Sequence, residues 1–171
     1  YTSGDGDVIA WVIPNAEDST KYDLFIGAEG DKIQAPANSY FLFGKYTNCT
    51  AINNLTMLDT SKVTNMGSMF YYCSNLTNLD VSNFDTSKVT KMGSMFRSCS
   101  SLTELDVSNF NTTSVTDMNY MFCSCSSLTE LNVSNFNTTS VTNMYAMFSS
   151  CSSLTELDVS NFNTTSVTIM S

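Results

Sequence analysis

The stretch Leu102 to Ser127 is followed at once by Leu128 to Ser153, and the two differ at five of their 26 positions. Met66, Met92, Met118, Met144 and Met170 recur at that interval, as do Cys73, Cys99, Cys125 and Cys151, and Phe84, Phe110, Phe136 and Phe162. A fixed period without insertions restricts the chain to architectures built by stacking one unit on the next, because an unequal unit would break the stack. One unit alone has too small a core to offset the entropy of ordering its backbone, so stability should grow with the number of units.

Each unit has two halves of different periodicity. In Glu104-Leu105-Asp106-Val107-Ser108 apolar and polar residues alternate, which predicts a short strand with one buried face. Met118, Met121, Phe122 and Cys125 fall at i, i+3, i+4 and i+7, which predicts about two turns of helix. Thr64, Thr90, Thr116 and Thr142 stand at the expected N-caps, Ser108 to Phe110 at the corner and Ser126-Ser127 at the return turn. Strands of successive units would pair in parallel, with the helices on the opposite side.

The pattern Leu102-x-x-Leu105-x-Val107 resembles the strand segment of leucine-rich repeats. More closely, Val-Thr-x-Met-x-x-Met-Phe-x-x-Cys-x-x-Leu-x-x-Leu-x-Val is similar to the BspA-like class of bacterial leucine-rich-repeat surface proteins, with Met92 and Met95 where that class often has isoleucine and alanine. The segment Ser82 to Ser87 resembles the insert of the 26-residue variant found in cell-wall-anchored and lipoprotein surface proteins. The resemblance covers about residues 40 to 171. It implies an α/β solenoid: a right-handed leucine-rich-repeat coil of short parallel strands and short helices, with each 26-residue repeat as one coil. Asn83, Asn109, Asn135 and Asn161 sit one position early relative to the usual asparagine, and would form a ladder along the corner.

Residues 1–40 do not follow the period and hold Trp11, Pro14, Pro36 and four of the seven glycines. Val8 to Ile13 and Tyr22 to Ile26 read as strands, with Ala28 to Asp31 as a hairpin turn into Lys32-Ile33. An N-terminal β cap over the first open edge is the expected role, leaving 41–171 as the repeat region. Phe43 to Val63 reads as a degenerate first unit in which Cys49, Ile52 and Leu55 match Cys73, Leu76 and Leu79, with a corner two residues shorter. A start at Tyr1 suggests an excised piece. The end at Ile169-Met170-Ser171, partway into a fifth helix, suggests either further units or end-to-end contact at the uncapped C-terminal coil.

Charge narrows the function. The formal net charge is -9, and all seven bases precede Ser98, so the chain from there to Ser171 carries six acids and no base. Nucleic acid is excluded as a partner, since phosphate binding needs a basic face. Without a histidine or an acid–nucleophile pair outside the repeat logic, no catalytic site stands out. No apolar run approaches the roughly 18 residues that would suggest membrane insertion. Nine of the ten methionines occupy two periodic columns, so packing accounts for them without a metal. The cysteine column reads as reduced buried thiols, and a zinc site is not expected because one column cannot surround an ion. Cys123 is off-register and expected to be exposed. No cofactor is indicated; calcium on the acidic face is the weak alternative.

Two surfaces are candidate partner sites. On the sheet face, Glu104, Glu130 and Glu156 form one column and Asp80, Asp106 and Asp158 a second, broken by Asn132. Stacked carboxylates repel, so this face either is a solvated, solubilising surface or meets a cation or a basic partner. On the outer helix face the units differ most, and there Tyr71, Tyr72, Arg97, Tyr120 and Tyr145 are amphipathic residues of the kind enriched in interfaces; neutral drift is the plain alternative. The resemblance implies a non-catalytic module on the bacterial cell surface, outside the cell, adhering to host or neighbouring-cell proteins, or to a glycan there. The competing reading is a passive spacer or stalk that presents another domain.

Overall fold

The computed structural model describes residues 8–28 and 32–170. Strands β1 (Val8–Pro14) and β2 (Tyr22–Ala28) pair antiparallel where the alternation placed them, with Trp11 opposite Phe25. The expected turn at Glu29, Gly30 and Asp31 lies outside the described residues. β3 (Ile33–Gln34) pairs in parallel with β5 (Leu58–Asp59), and β2 pairs in parallel with β4 (Cys49–Asn53), giving the order β1-β2-β4. The hairpin is thereby joined to the first repeat unit by main-chain bonds.

That first unit has a different register from the one expected. Asn65, Lys91, Asp117, Asn143 and Ile169 are bridged in parallel at the regular period, whereas the bridges from Asn38 to Asn65 and from Ala51 to Asn78 each span one residue more. Cys49 and Ile52 therefore stand at the level of Leu76 and Leu79, three residues from the expected alignment, and the unit is one residue longer, not two shorter. The extra residue is absorbed where Asn54 turns left-handed (φ 62°) ahead of a single 3-10 turn at Leu55–Met57. Spacing of apolar residues alone could not locate it, because several registers place an apolar residue inside.

No α-helix occurs among the described residues. The Met-Met-Phe-Cys stripe instead runs through successive four-residue turns, with Met69 N–H donating to Met66 C=O (3.2 Å) and Cys73 N–H to Phe70 C=O (3.2 Å). The alternate N–H groups point to the next unit: Met66, Ser68, Phe70 and Tyr72 donate to the carbonyls of Lys91, Gly93, Met95 and Arg97 at 2.8–2.9 Å. A helix would keep those donors within its own segment, whereas here they tie unit to unit. The third residue of each turn is left-handed: Ser68 and Tyr72, Ser94 and Ser98, Tyr120 and Ser124, Ala146 and Ser150. Such turns show the same i, i+3, i+4 apolar spacing as a helix, so periodicity does not separate them.

The threonines placed as N-caps have another task. The Thr90, Thr116, Thr142 and Thr168 hydroxyls each donate to the carbonyl of the threonine one unit earlier (3.1–3.2 Å), beside the backbone N–H that reaches the same atom. The strand expected at residues 104–108 keeps its alternation of buried Leu105 and Val107 with exposed neighbours, but it carries no regular ladder. Side chains join the units on that side. Asn109 Nδ2 donates to the carbonyls of Val81 (3.1 Å) and Phe84 (3.0 Å), and Asn83, Asn135 and Asn161 repeat the arrangement, so the asparagine ladder is present.

The core between the two sides is a set of columns. Phe43, Phe70, Phe96, Phe122 and Phe148 stack with centroids 5.5–5.7 Å apart and planes within 10° of parallel, an offset arrangement that satisfies the ring quadrupoles. Thr60, Thr86, Thr112 and Thr138, each 1% exposed, form a buried polar column. The Thr112 hydroxyl accepts the Asn137 N–H (2.7 Å) and donates to the Asn137 C=O (3.0 Å), and its counterparts do the same one unit away. A buried hydroxyl so paired carries no desolvation penalty.

Candidate interaction surface

Of the two expected faces, the acidic one is built largely from turns. Asp80, Asp106 and Asp158 each accept the N–H of the serine two residues on (Ser82, Ser108 and Ser160) at 2.8–2.9 Å. Asn132 accepts from Ser134 in the same way (3.0 Å), which is why the column tolerates an amide at that place. The hydroxyl and N–H of the serine hold the Asp80 and Asp106 carboxyls below the usual carboxylate range, and the Ser160 N–H and then its hydroxyl do the same for Asp158. Glu104, Glu130 and Glu156 stand exposed beside them. Glu130, Glu156 and Asp158 line an open groove of about 560 Å3. Among the described residues no group of three or more His, Cys, Asp or Glu side chains is placed to hold a metal ion.

The turn face gathers its variable residues. The Arg97 guanidinium lies 4.4 Å from the centroid of the Tyr120 ring and 5.8 Å from that of Tyr71, within cation–π range of both. Tyr71 packs on Tyr72 (5.4 Å), and Tyr120 meets Tyr145 edge-on (5.1 Å). The row continues toward the N-terminus through Phe41, 6.0 Å from Tyr71, to Tyr40, 6.1 Å from Phe41. All five residues expected on this face therefore belong to one strip that runs from unit to unit. Tyr72 is 47% and Tyr145 38% exposed, and Tyr71, Arg97 and Tyr120 are half-buried. They lie on turns, not on a helix face.

The cysteines divide differently from expectation. Cys73, Cys99, Cys125 and Cys151 each donate a thiol hydrogen to a phenylalanine carbonyl of the preceding unit, with sulfur 3.1–3.2 Å from oxygen. Burial pushes the Cys73 and Cys125 thiols up to about 12 and that of Cys99 well above its ordinary value. Cys123, expected to be exposed, is 7% exposed. At the same place Tyr71 and Arg97 are half-buried and Ser149 is exposed, so the repeat position alone does not set how far this place is covered.

A family described as Mycoplasma protein of unknown function, DUF285, matches residues 38–131 and again residues 106–171. The chain belongs to that family. No curated protein and no solved structure matches it. The match begins at Asn38, where the row of single parallel bridges through Asn65, Lys91, Asp117 and Asn143 begins, and leaves out β1, β2 and β3. Three further residues of this face were not singled out from the sequence. Tyr40 and Phe41 lie in the unit with the irregular register and offered no periodic signal. Lys91 did carry one, since Asn65, Asp117 and Asn143 occupy the same place in other units.

Proposed function

We propose that the chain is a right-handed leucine-rich-repeat solenoid of the BspA-like class, exposed on the outside of a bacterial cell, and that it works without catalysis as an adhesive module. Its contact surface is the turn face. The observation that carries this reading is the continuous aromatic strip from Tyr40 to Tyr145, with Arg97 between Tyr71 and Tyr120. The recurring asparagine, aspartate and buried threonine side chains have partners in the next unit or in their own turn, and the recurring Glu104, Glu130 and Glu156 stand exposed beside them, whereas the strip residues vary from unit to unit and serve no ladder. Rings with a polar tip and a stacked guanidinium are the groups that dominate contact surfaces.

Surface plasmon resonance against immobilised extracellular-matrix glycoproteins tests the reading. The Tyr72→Ala/Tyr145→Ala double variant should lose binding with an unchanged melting temperature, and Glu130→Lys/Glu156→Lys should retain it. The reverse pattern would move the contact to the acidic face. A panel that stays blank with the unaltered chain would favour the spacer reading.

A further inference from the structure

Next to the strip, a groove of about 300 Å3 runs across the second and third units between Tyr40 at one end and Asn119 at the other. Its floor is Gly67 and Gly93. A Cβ on Gly67 would come within 3.2 Å of the Tyr40 ring, and one on Gly93 would collide with Asn119 Oδ1, so Tyr40 and Asn119 can close on the groove only because glycine stands at this place in the turn. In the next two units Asn119 and Tyr145 fill it. The walls carry Asn65, Lys91 and Asp117, one per unit.

The column of Lys91 departs from its own rule. Asn65 Oδ1 accepts the Gly67 N–H (2.9 Å), Asp117 Oδ1 the Asn119 N–H (3.1 Å) and Asn143 Oδ1 the Tyr145 N–H (3.1 Å). A lysine cannot accept, and among the described residues the Gly93 N–H makes no hydrogen bond. The floor of the groove thus holds a free main-chain donor, which the local sequence rule would have silenced with an asparagine. Places where a sequence breaks its own structural pattern are where function is to be sought.

We infer that this groove binds one hexopyranose unit of a neutral glycan, which gives the ligand class for the turn face and rests on the reading proposed above. The exposed Tyr40 ring offers a flat apolar surface to the C–H face of a sugar. Asn65 Nδ2, the Lys91 ammonium and the Gly93 N–H are donors to hydroxyl, ring or acetamido oxygens, and Asp117 Oδ2 is an acceptor for hydroxyl hydrogens. The lysine and aspartate leave the site without net charge in a chain of net charge -9, which disfavours an anionic ligand. A peptide strand finds no edge to pair with, because the Ser68 and Ser94 N–H groups already bond to the next unit. A protein anchor would look for an apolar pocket, and this lining is polar.

The test uses the chain on an array of neutral and acidic oligosaccharides, followed by NMR titration of the best neutral binder. The Gly93 and Asn119 amide signals should shift. Lys91→Asn, which restores the turn bond to Gly93, should raise the melting temperature while weakening the sugar by about tenfold or more, a loss of at least roughly 1.4 kcal/mol. Tyr40→Ala should weaken it similarly. Binding confined to acidic sugars, undiminished affinity in Lys91→Asn, or a blank array would each overturn the inference. If the array is blank but a deglycosylated matrix protein is captured and lost in Tyr72→Ala/Tyr145→Ala, the adhesive reading stands without its ligand class; if neither binds, both fall.

Discussion

Asp106 and Tyr120 lie in one unit on opposite faces, and from the sequence both belong to candidate contact surfaces. The structure separates them by occupation. The carboxylate of Asp106 is engaged by Ser108, and its column accepts Asn132 as a substitute because only an acceptor oxygen is required. Tyr120 holds Arg97 on one side and Tyr145 on the other, and its column contains serine and alanine elsewhere because no ladder depends on it. In a repeat, then, a polar residue that recurs is to be read first as half of an internal hydrogen bond. One that changes from unit to unit is free for a partner.

If the recurring columns hold the molecule together, the largest effect should come from inside them. Phe122 is fully buried and stacked between Phe96 and Phe148 at 5.7 Å on each side. Phe122→Ala should cost about 3–5 kcal/mol in denaturant unfolding, whereas Tyr145→Ala should stay within about 0.5 kcal/mol. Equal losses would erase the distinction between column and strip.

The polar column should come next. Thr112→Val keeps the shape but takes the hydroxyl partner from the Asn137 N–H, so a loss of about 0.5–1.5 kcal/mol is expected. A loss under about half a kcal/mol would mean that solvent or a shifted backbone replaces the hydroxyl.

Smaller, and opposite in sign, is the effect of relieving the turns. Ser98 is left-handed (φ 62°), and its side chain makes no hydrogen bond among the described residues. Ser98→Gly should stabilise by about 0.5–1 kcal/mol, since the steric cost of that conformation for an L-residue slightly exceeds the entropic cost of glycine. Destabilisation would show that the turn tolerates serine without strain.

These effects also mark what the sequence could disclose. The unit length, the columns of Leu105, Val107, Phe122 and Cys125, the strands β1 and β2 and the asparagine ladder all follow from recurrence or alternation. The turns do not, because i, i+3, i+4 spacing is shared by a helix and by a chain of four-residue turns, and only the left-handed residues distinguish them. The first unit's register is hidden because Cys49, Ile52 and Leu55 are apolar in either alignment. Spacing puts Cys123 outside because its place lies off the apolar stripe, yet that place is half-buried at Tyr71 and Arg97 and exposed at Ser149, so register alone does not fix its burial. Among the site residues, Tyr71, Tyr72, Arg97, Tyr120 and Tyr145 are legible as variable positions, but their union into one strip depends on the stacking of neighbouring units.

The finest contrast lies within the acidic column itself. Serine hydroxyl and N–H groups lower the Asp80, Asp106 and Asp158 carboxyls, while Asn132 holds the same turn without a titrating group. A carboxylate whose pKa is depressed in the folded state adds stability that is present above its unfolded value, near about 3.9, and is lost as pH falls through the lower folded value. Between neutrality and strong acid the amide signals of Ser82, Ser108 and Ser160 should therefore move with midpoints below about 3.9, and that of Ser134 should stay flat. An NMR pH titration reads all four in one sample. A Ser134 signal that moved with the others would show that the column responds as a charged surface and not as four separate turns, and the acidic face would again be a candidate for a basic partner.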